Sequence, residues 1–212
     1  MTPNTAVAHE ISALEAIHHR RAVRSYRPDT VDDATIQTLL DAAVHAPTAM
    51  HQEPWAFVVV QNRDLLRSIS DRAKALMLSQ ATAHRDLLRA PGAAPLGRLI
   101  ETLGDPNFNI FYDAGTLIII CGKPLGDFVV ADCWLAAENL MLAASSLGFG
   151  TCPIGFALPA LHEVDVKKEL GIPKGTDAVA AVIVGVPRGE TPPVPRKPPE
   201  VIRWVRESRA GA

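Results

Sequence analysis

From residue 36 the apolar positions follow a helical rhythm. Ile36, Leu39, Leu40, Ala43 and Val44 fall at i, i+3, i+4, i+7 and i+8, Asp32 stands where an N-cap belongs, and Pro47 stops the run. The spacing predicts an amphipathic helix. The same rhythm predicts helices over 64–78, over 127–147 with Gly148 at its end, and over 161–170, where Gly171 and then Pro173 close it. Short β-branched and aromatic runs at 55–60, 116–121 and 179–186, bounded by Pro, Gly or polar residues, predict strands buried on both faces. The apolar stretch 128–147 has the length of a membrane span, but Asp132, Glu138 and Asn139 interrupt it. Such groups are costly in lipid, so it reads as a buried central helix.

Between these elements the pattern breaks. The segment 81–109 carries Pro91, Pro95 and Pro106 and holds one short helix at about 96–103; long excursions of this kind cover sites, which makes 78–109 the expected source of specificity. Residues 192–199 are too rich in proline for a helix or a central strand, so they form an extended arm ending in a short helix over 200–207. Arms of that kind pack on a neighbouring subunit. Helices and strands mix too irregularly for repeated βαβ units, so the fold class is α+β, a sandwich and not a doubly wound sheet.

Composition narrows the partners. The chain has 212 residues, 48% of them hydrophobic, and a net charge of -2, which fits one compact domain and gives no basic stripe for nucleic acid or a membrane surface. Cys121, Cys133 and Cys152 lie among apolar neighbours, form no Cys-x-x-Cys pair and read as reduced core thiols. The first residues contain no leader pattern, so a cytoplasmic location is expected. Nucleotide-binding glycine loops, a zinc-protease motif and a serine-hydrolase elbow are all missing. No metal site or catalytic side chain is expected. His18 and His19 read as surface residues, Trp55 as a core aromatic and Asn139 as a buried, satisfied polar group.

The arginines remain. Arg20, Arg21 and Arg24 near the start and Arg196 near the end are permanently charged, forked donors that can converge on one phosphate, and the turn Pro47, Thr48, Ala49, Met50, His51 follows the first group. Together they point to a site holding an anion at one end and a flat ring at the other. The alternative is solvated arginines on an interaction protein without a cofactor.

The order of segments carries a resemblance. Arg20 to Tyr26 is followed by Ala46 to Trp55, then Ala137-Glu138-Asn139-Leu140 on the long helix, Gly148-Phe149-Gly150-Thr151-Cys152-Pro153-Ile154-Gly155 after it, Leu170-Gly171-Ile172-Pro173, Val184-Gly185-Val186-Pro187 and finally Pro195-Arg196-Lys197-Pro198. In this order, over roughly residues 12–200, the chain resembles the FMN-dependent nitroreductase family. The resemblance implies a three-layer α/β/α sandwich with a mixed, mostly antiparallel sheet. It also implies a domain-swapped homodimer, with FMN in a cleft touched by both chains. By the same resemblance, Arg20, Arg21 and Arg196 meet the phosphate beside Ala22, and Arg24 lies at the N1 and O2 edge of the ring. Pro47, Thr48 and Ala49 line the other subunit's flavin, and His51 faces the ribityl or phosphate end. Asn107 binds ring or ribityl, and the Pro153, Ile154, Gly155 turn passes the N5 edge. The implied activity is reduction of nitroaromatic, quinone or related acceptors by NAD(P)H in alternating half-reactions. A flavin-binding storage or sensing protein is the alternative. The chain departs from the family pattern at Ala22, where Ser is usual, at His51, where Asn is usual, and at Glu53, where Gln is usual. The missing Ser hydroxyl removes one hydrogen bond of about 1 kcal/mol, and Glu53 brings a carboxylate toward the phosphate end.

Overall fold

The computed structural model describes residues 11–83 and 94–206. Helix α1 (Ala13–His19) starts on a capping box. Ser12 Oγ accepts from the Glu15 N–H at 3.2 Å, and the Glu15 carboxylate accepts from the Ser12 N–H at 2.7 Å. Helix α2 (Asp33–Val44) starts on the Asp32 carboxylate, which accepts from the Thr35 N–H, as its sequence predicts. Then follow β1 (Trp55–Val60), α3 (Arg63–Ala83), α4 (Ala94–Gly104), β2 (Thr116–Gly122), α5 (Val129–Ser146), β3 (Gly150–Pro153), α6 (Leu158–Leu161), α7 (Val164–Glu169) and β4 (Asp177–Gly185).

The strands form one sheet in the order β1-β2-β4-β3, with every neighbouring pair antiparallel. The alternation along β2 and β4 builds two cores. Leu117, Ile119, Cys121, Ala181 and Ile183 face the layer of α3, α6 and α7; Ile118, Ile120, Ala180, Val182 and Val184 face α2 and α5. This is the α/β/α sandwich. The helix expected over 127–147 is α5, which buries Cys133, Ala136, Ala137, Leu140 and Ala144 against the sheet. No helix among the described residues is long and apolar enough to cross a membrane.

The N-terminal segment is fastened to the far edge of this sheet. Ala22 bridges Thr151 in parallel and Tyr26 bridges Pro187 antiparallel, while the Val23 N–H donates to Thr151 O at 3.0 Å and the Arg27 N–H to Val186 O at 2.9 Å. Gly150 and Gly185 are direct partners across β3 and β4. A Cβ on Gly150 would stand 2.7 Å from Val23 Cγ2, and one on Gly185 would stand 2.8 Å from Tyr26 Cδ1. Both positions need glycine because another chain segment occupies the space of a side chain.

The structure departs from the sequence pattern in several places. The run 161–170 is not one helix, because Glu163 takes an extended conformation (φ -65, ψ 139) and separates α6 from α7. Strand β3 is not anticipated: four residues between a glycine and a proline carry too little pattern. Helix α3 continues to Ala83, since nothing after residue 78 breaks it. Strand β1 is an edge strand and only partly covered, with Val59 36% exposed. No helix forms across 200–206. So short a segment, with Ile202 and Trp204 exposed, has nothing to pack against and lies below the length at which a helix holds itself together. Helix α4 corresponds to the short helix expected at about 96–103, whereas 84–93 of the excursion lie outside the described residues.

Two outcomes follow from this packing. Gly150→Ala should destabilise the fold by about 1–3 kcal/mol through overpacking against Val23; urea unfolding should show a lower midpoint at unchanged slope. Burial pushes the Cys121 and Cys133 thiols up to about 11. At about pH 8 their thiolate fraction is therefore on the order of 10⁻³. Iodoacetamide should leave both unmodified in the native protein, by mass spectrometry, and should label both after unfolding.

Candidate functional site

The arginine segment leaves α1 at Arg20, whose backbone turns extended (φ -55, ψ 134) while its N–H still donates to Ala16 O. In the extended stretch that follows, residues 20, 22 and 24 share one side, and Val23 points the other way into the glycine notch. Arg20 donates through Nε to Glu138 Oε1 at 3.2 Å. Arg21 folds back, giving its Nη1 to the carbonyls of His18 and Arg20. The Arg24 guanidinium lies 6.0 Å from the centre of the Tyr112 ring and has no carboxylate partner among the described residues.

Strand β3 brings the middle of the expected site to these arginines. Cys152 is 2% exposed. Burial pushes its thiol up, and the positive charges of Arg24 and Arg20 oppose that push. The thiol is thus a wall atom and not a nucleophile. Beyond it the Ile154 N–H is tied to Ala181 O at 2.7 Å, and a short 3-10 turn begins at Gly155. The N–H groups of Gly155 and Phe156 open this turn and have no acceptor among the described residues. A Cβ on Gly155 would meet nothing within 4 Å, so the approach to this backbone is open.

Two cavities adjoin the segment. The first, about 490 Å³, is bordered by Arg24, by Phe108, Ile110 and Tyr112, and by the stretch from Cys152 to Phe156. Among the described residues that border it, only Arg24 is charged. The second, about 410 Å³, is bordered by Arg20, Arg21, Thr151 and, across from them, Glu190. Both are of ligand size. Arg20, Arg21, Arg24, Pro153, Ile154 and Gly155 are therefore brought together, with Ala22 between the arginines.

The turn after α2 is held elsewhere. The Ala49 N–H donates to both carboxylate oxygens of Asp132 at 3.3 Å, and Asp132 is buried on α5 with 4% exposure. Met50, His51 and Glu53 all have positive φ (55, 53 and 44), a conformation that costs non-glycine residues energy and persists only where the surroundings fix it. His51 and Glu53 are exposed. Neither cavity is bordered by Pro47, Thr48, Ala49 or His51. Asn107 is exposed and borders neither, its N–H donating to Asp105 Oδ1, although its neighbour Phe108 forms the cavity wall. Arg196 lies exposed on the arm, with no ion pair among the described residues.

Sequence reading missed the aromatic wall. Phe108 and Tyr112 meet edge to face, 5.6 Å between ring centres and 79° between planes. Their i, i+4 spacing was the available signal, masked because they stand in a turn. Asp132 was noted only as an interruption of an apolar run, and Glu138 as that and as part of the segment that carries the resemblance; each is the partner of a candidate site group. Asn139 donates to Ala42 O at 3.2 Å and Trp55 is buried, in line with their structural readings.

Comparison with known proteins gives these features a common frame. A provisionally named NADH dehydrogenase/NAD(P)H nitroreductase of Archaeoglobus fulgidus is 30% identical over 183 residues, covering 84% of this chain and 86% of its own. Nitroreductase NfnB of Mycolicibacterium smegmatis is 28% identical over 188 residues, covering 76% of this chain and 77% of its own. Among solved structures, a Bacteroides fragilis nitroreductase with bound FMN superposes with a TM-score of 0.74 at 25% identity, covering 93% of this chain and 100% of that one. With the profile of the nitroreductase family matching residues 17–186, across the arginine segment, the first cavity and the whole sheet, the chain belongs to the nitroreductase family.

Proposed function

We propose that the protein is an FMN-dependent oxidoreductase that uses NAD(P)H to reduce nitroaromatic, quinone or related small acceptors. The scheme is ping-pong, in which the nicotinamide leaves the cleft before the acceptor enters. The observation that carries this reading is the pair of cavities along β3: an apolar one bordered by Arg24 and the Gly155 and Phe156 backbone, whose N–H groups are unpartnered among the described residues, and a second one bordered by Arg20 and Arg21.

The residues present fit FMN. Arg20 spends one donor on Glu138 and keeps the rest of its guanidinium for a phosphate. Arg21 stands beside it, and Arg196 can join only if the arm carries it there. The lost hydroxyl at Ala22 is offset by these charges, and Glu53, exposed on its turn, is free to point to solvent. When bound, FMN supplies a ring that takes a hydride from NAD(P)H and returns two electrons to an acceptor. The chain's own contribution is binding, orientation and field. Arg24 holds a fixed positive charge at the cleft, which favours the build-up of negative charge there. The Gly155 and Phe156 N–H groups orient a polar ring edge. Phe108, Ile110, Tyr112 and Ile154 keep water from the reacting face. No side chain is needed as nucleophile or base, and protons can come from water.

A homodimer is part of the same reading. The turn from Pro47 to His51 borders neither cavity of its own chain, so its expected role at a flavin requires a second copy. Leu14 and Ile17 on α1 and Val130, Trp134 and Leu135 on α5 are exposed apolar residues on helices that pack together, and Val201, Ile202, Trp204 and Val205 on the arm are exposed as well. Apolar surface of that extent supports burial against a partner. A cytoplasmic location belongs to this reading.

The test is spectroscopic. The purified protein should carry about one FMN per chain, and anaerobic NADH or NADPH should bleach its band at about 450 nm, with the colour returning on adding a quinone. A flavin that stays oxidised with both nicotinamides sinks the reductase reading and leaves the storage or sensing alternative; a protein that cannot take up FMN sinks both. Arg20→Ala should weaken FMN binding about 10- to 100-fold, the worth of a charge-assisted hydrogen bond. Unchanged affinity in a fluorescence titration would remove Arg20 from the phosphate site.

A further inference from the structure

Helix α3 carries a buried cation that the proposed function does not use. Lys74 is only 6% exposed, and its ammonium has three oxygen partners: Phe108 O at 2.8 Å, Asp71 Oδ1 at 3.1 Å and Asp105 O at 3.3 Å. Two of its three donors are spent on the carbonyls, and the Asp71 carboxylate, an ion-pair partner, balances its charge. Both carbonyls belong to the turn that leads into the aromatic wall. One helical turn earlier, on the same face, the fully buried Ser70 accepts from the Ile110 N–H at 3.1 Å. Phe108 and Ile110, which these bonds hold, border the cavity together with Tyr112, and Tyr112 meets both the Phe108 ring edge and the Arg24 guanidinium.

A buried charge is a poor device for stability alone, because an apolar side chain of similar volume fills a core at no cost in desolvation. It is a good device for fixing position. The turn it holds contains two residues with positive φ, Tyr112 (53) and Asp113 (57), and no regular hydrogen-bond ladder runs through it. Short local turns shape it, with the Phe108 N–H donating to Asp105 O at 3.1 Å and the Tyr112 N–H to Asn109 O at 2.8 Å, and α3 fastens these turns to the helix layer at Asp105, Phe108 and Ile110.

We propose that Lys74, with Ser70, is a positioning residue for the cleft: by fixing the 105–112 turn it holds Phe108 and Tyr112 as a rigid wall that selects flat aromatic acceptors. The selection rests on the reductase reading; the mechanical part does not. A wall of two ring systems beside a single guanidinium rewards a planar, electron-poor ring that can stack on it and offers nothing to a compact inorganic acceptor. Loosening the turn, which does not border the second cavity, leaves Arg20, Arg21 and the β3 backbone in place, so the phosphate end of the cofactor site is spared.

The test uses the holoprotein with Lys74→Met and Ser70→Ala, the second serving if the first fails to fold. Amide hydrogen exchange over 105–112 should accelerate about tenfold or more in both, with the protection of β2 and α5 unchanged. KM for a naphthoquinone should rise about tenfold, as expected when a substrate-positioning surface shifts, while KM for ferricyanide and FMN content stay within about twofold. Unchanged exchange, or exchange that accelerates without separating the two acceptors, overturns the proposal and leaves Lys74 a packing residue. If the wild-type protein reduces neither acceptor, the reductase reading has failed. The wall is then judged by exchange and by the naphthoquinone Kd from calorimetry, which should weaken in both variants and which, if unchanged, overturns it.

Discussion

Gly150 and Gly185 face each other across β3 and β4, and the space their missing side chains leave is filled by Val23 and Tyr26. That seat is what turns an N-terminal strap into part of the molecule. Without it, the backbone bonds from Val23 to Thr151 and from Arg27 to Val186 could not close, because any Cβ would hold the strap off the sheet edge. The Tyr26 hydroxyl, which donates to Val23 O at 2.7 Å, locks the two plugs to one another. Once the strap is seated, the alternation sets Arg20 and Arg24 on the side away from Val23, with Arg24 bordering the first cavity and Arg20 the second. The electrostatics of the cleft thus descend from a steric fact at the sheet edge.

The layers were legible because their signals are local and redundant. α2 has a cap, a period and a stop; the run 116–121 is apolar at every position after Thr116 and becomes the strand buried on both faces. The run 161–170 was misread because apolar spacing survives a break in the backbone, and only the extended Glu163 reveals that α6 and α7 are separate. β3 was illegible for the opposite reason. Its residues are chosen for what passes over them, not for strand propensity, so Gly150 and Pro153 looked like punctuation.

The site was legible as a set of segments and not as a set of contacts. Arginines stand out in a linear string, which is why Arg20 and Arg24 were singled out from the residues themselves, whereas Gly155 entered through the family resemblance. Partners that act from buried positions do not stand out. Asp132 looked like an interruption in an apolar helix, yet it holds the Ala49 N–H; Lys74 drew no reading at all, yet it is buried on α3 against three oxygens. The aromatic wall escaped because its residues sit in a turn, where no periodicity announces which side chains meet.

The turn around Ala49 hangs from Asp132 and borders neither cavity of its own chain. On the proposed two-chain site this imposes an order of events in the life of the protein. A newly made chain offers the arginines and the β3 backbone but only part of an enclosure, so pairing comes before durable loading, and cofactor retention becomes a concentration-dependent property of the pair. Scarcity of protein and scarcity of flavin then have the same outward sign, an empty cleft, and the cell can fill it by making more of either.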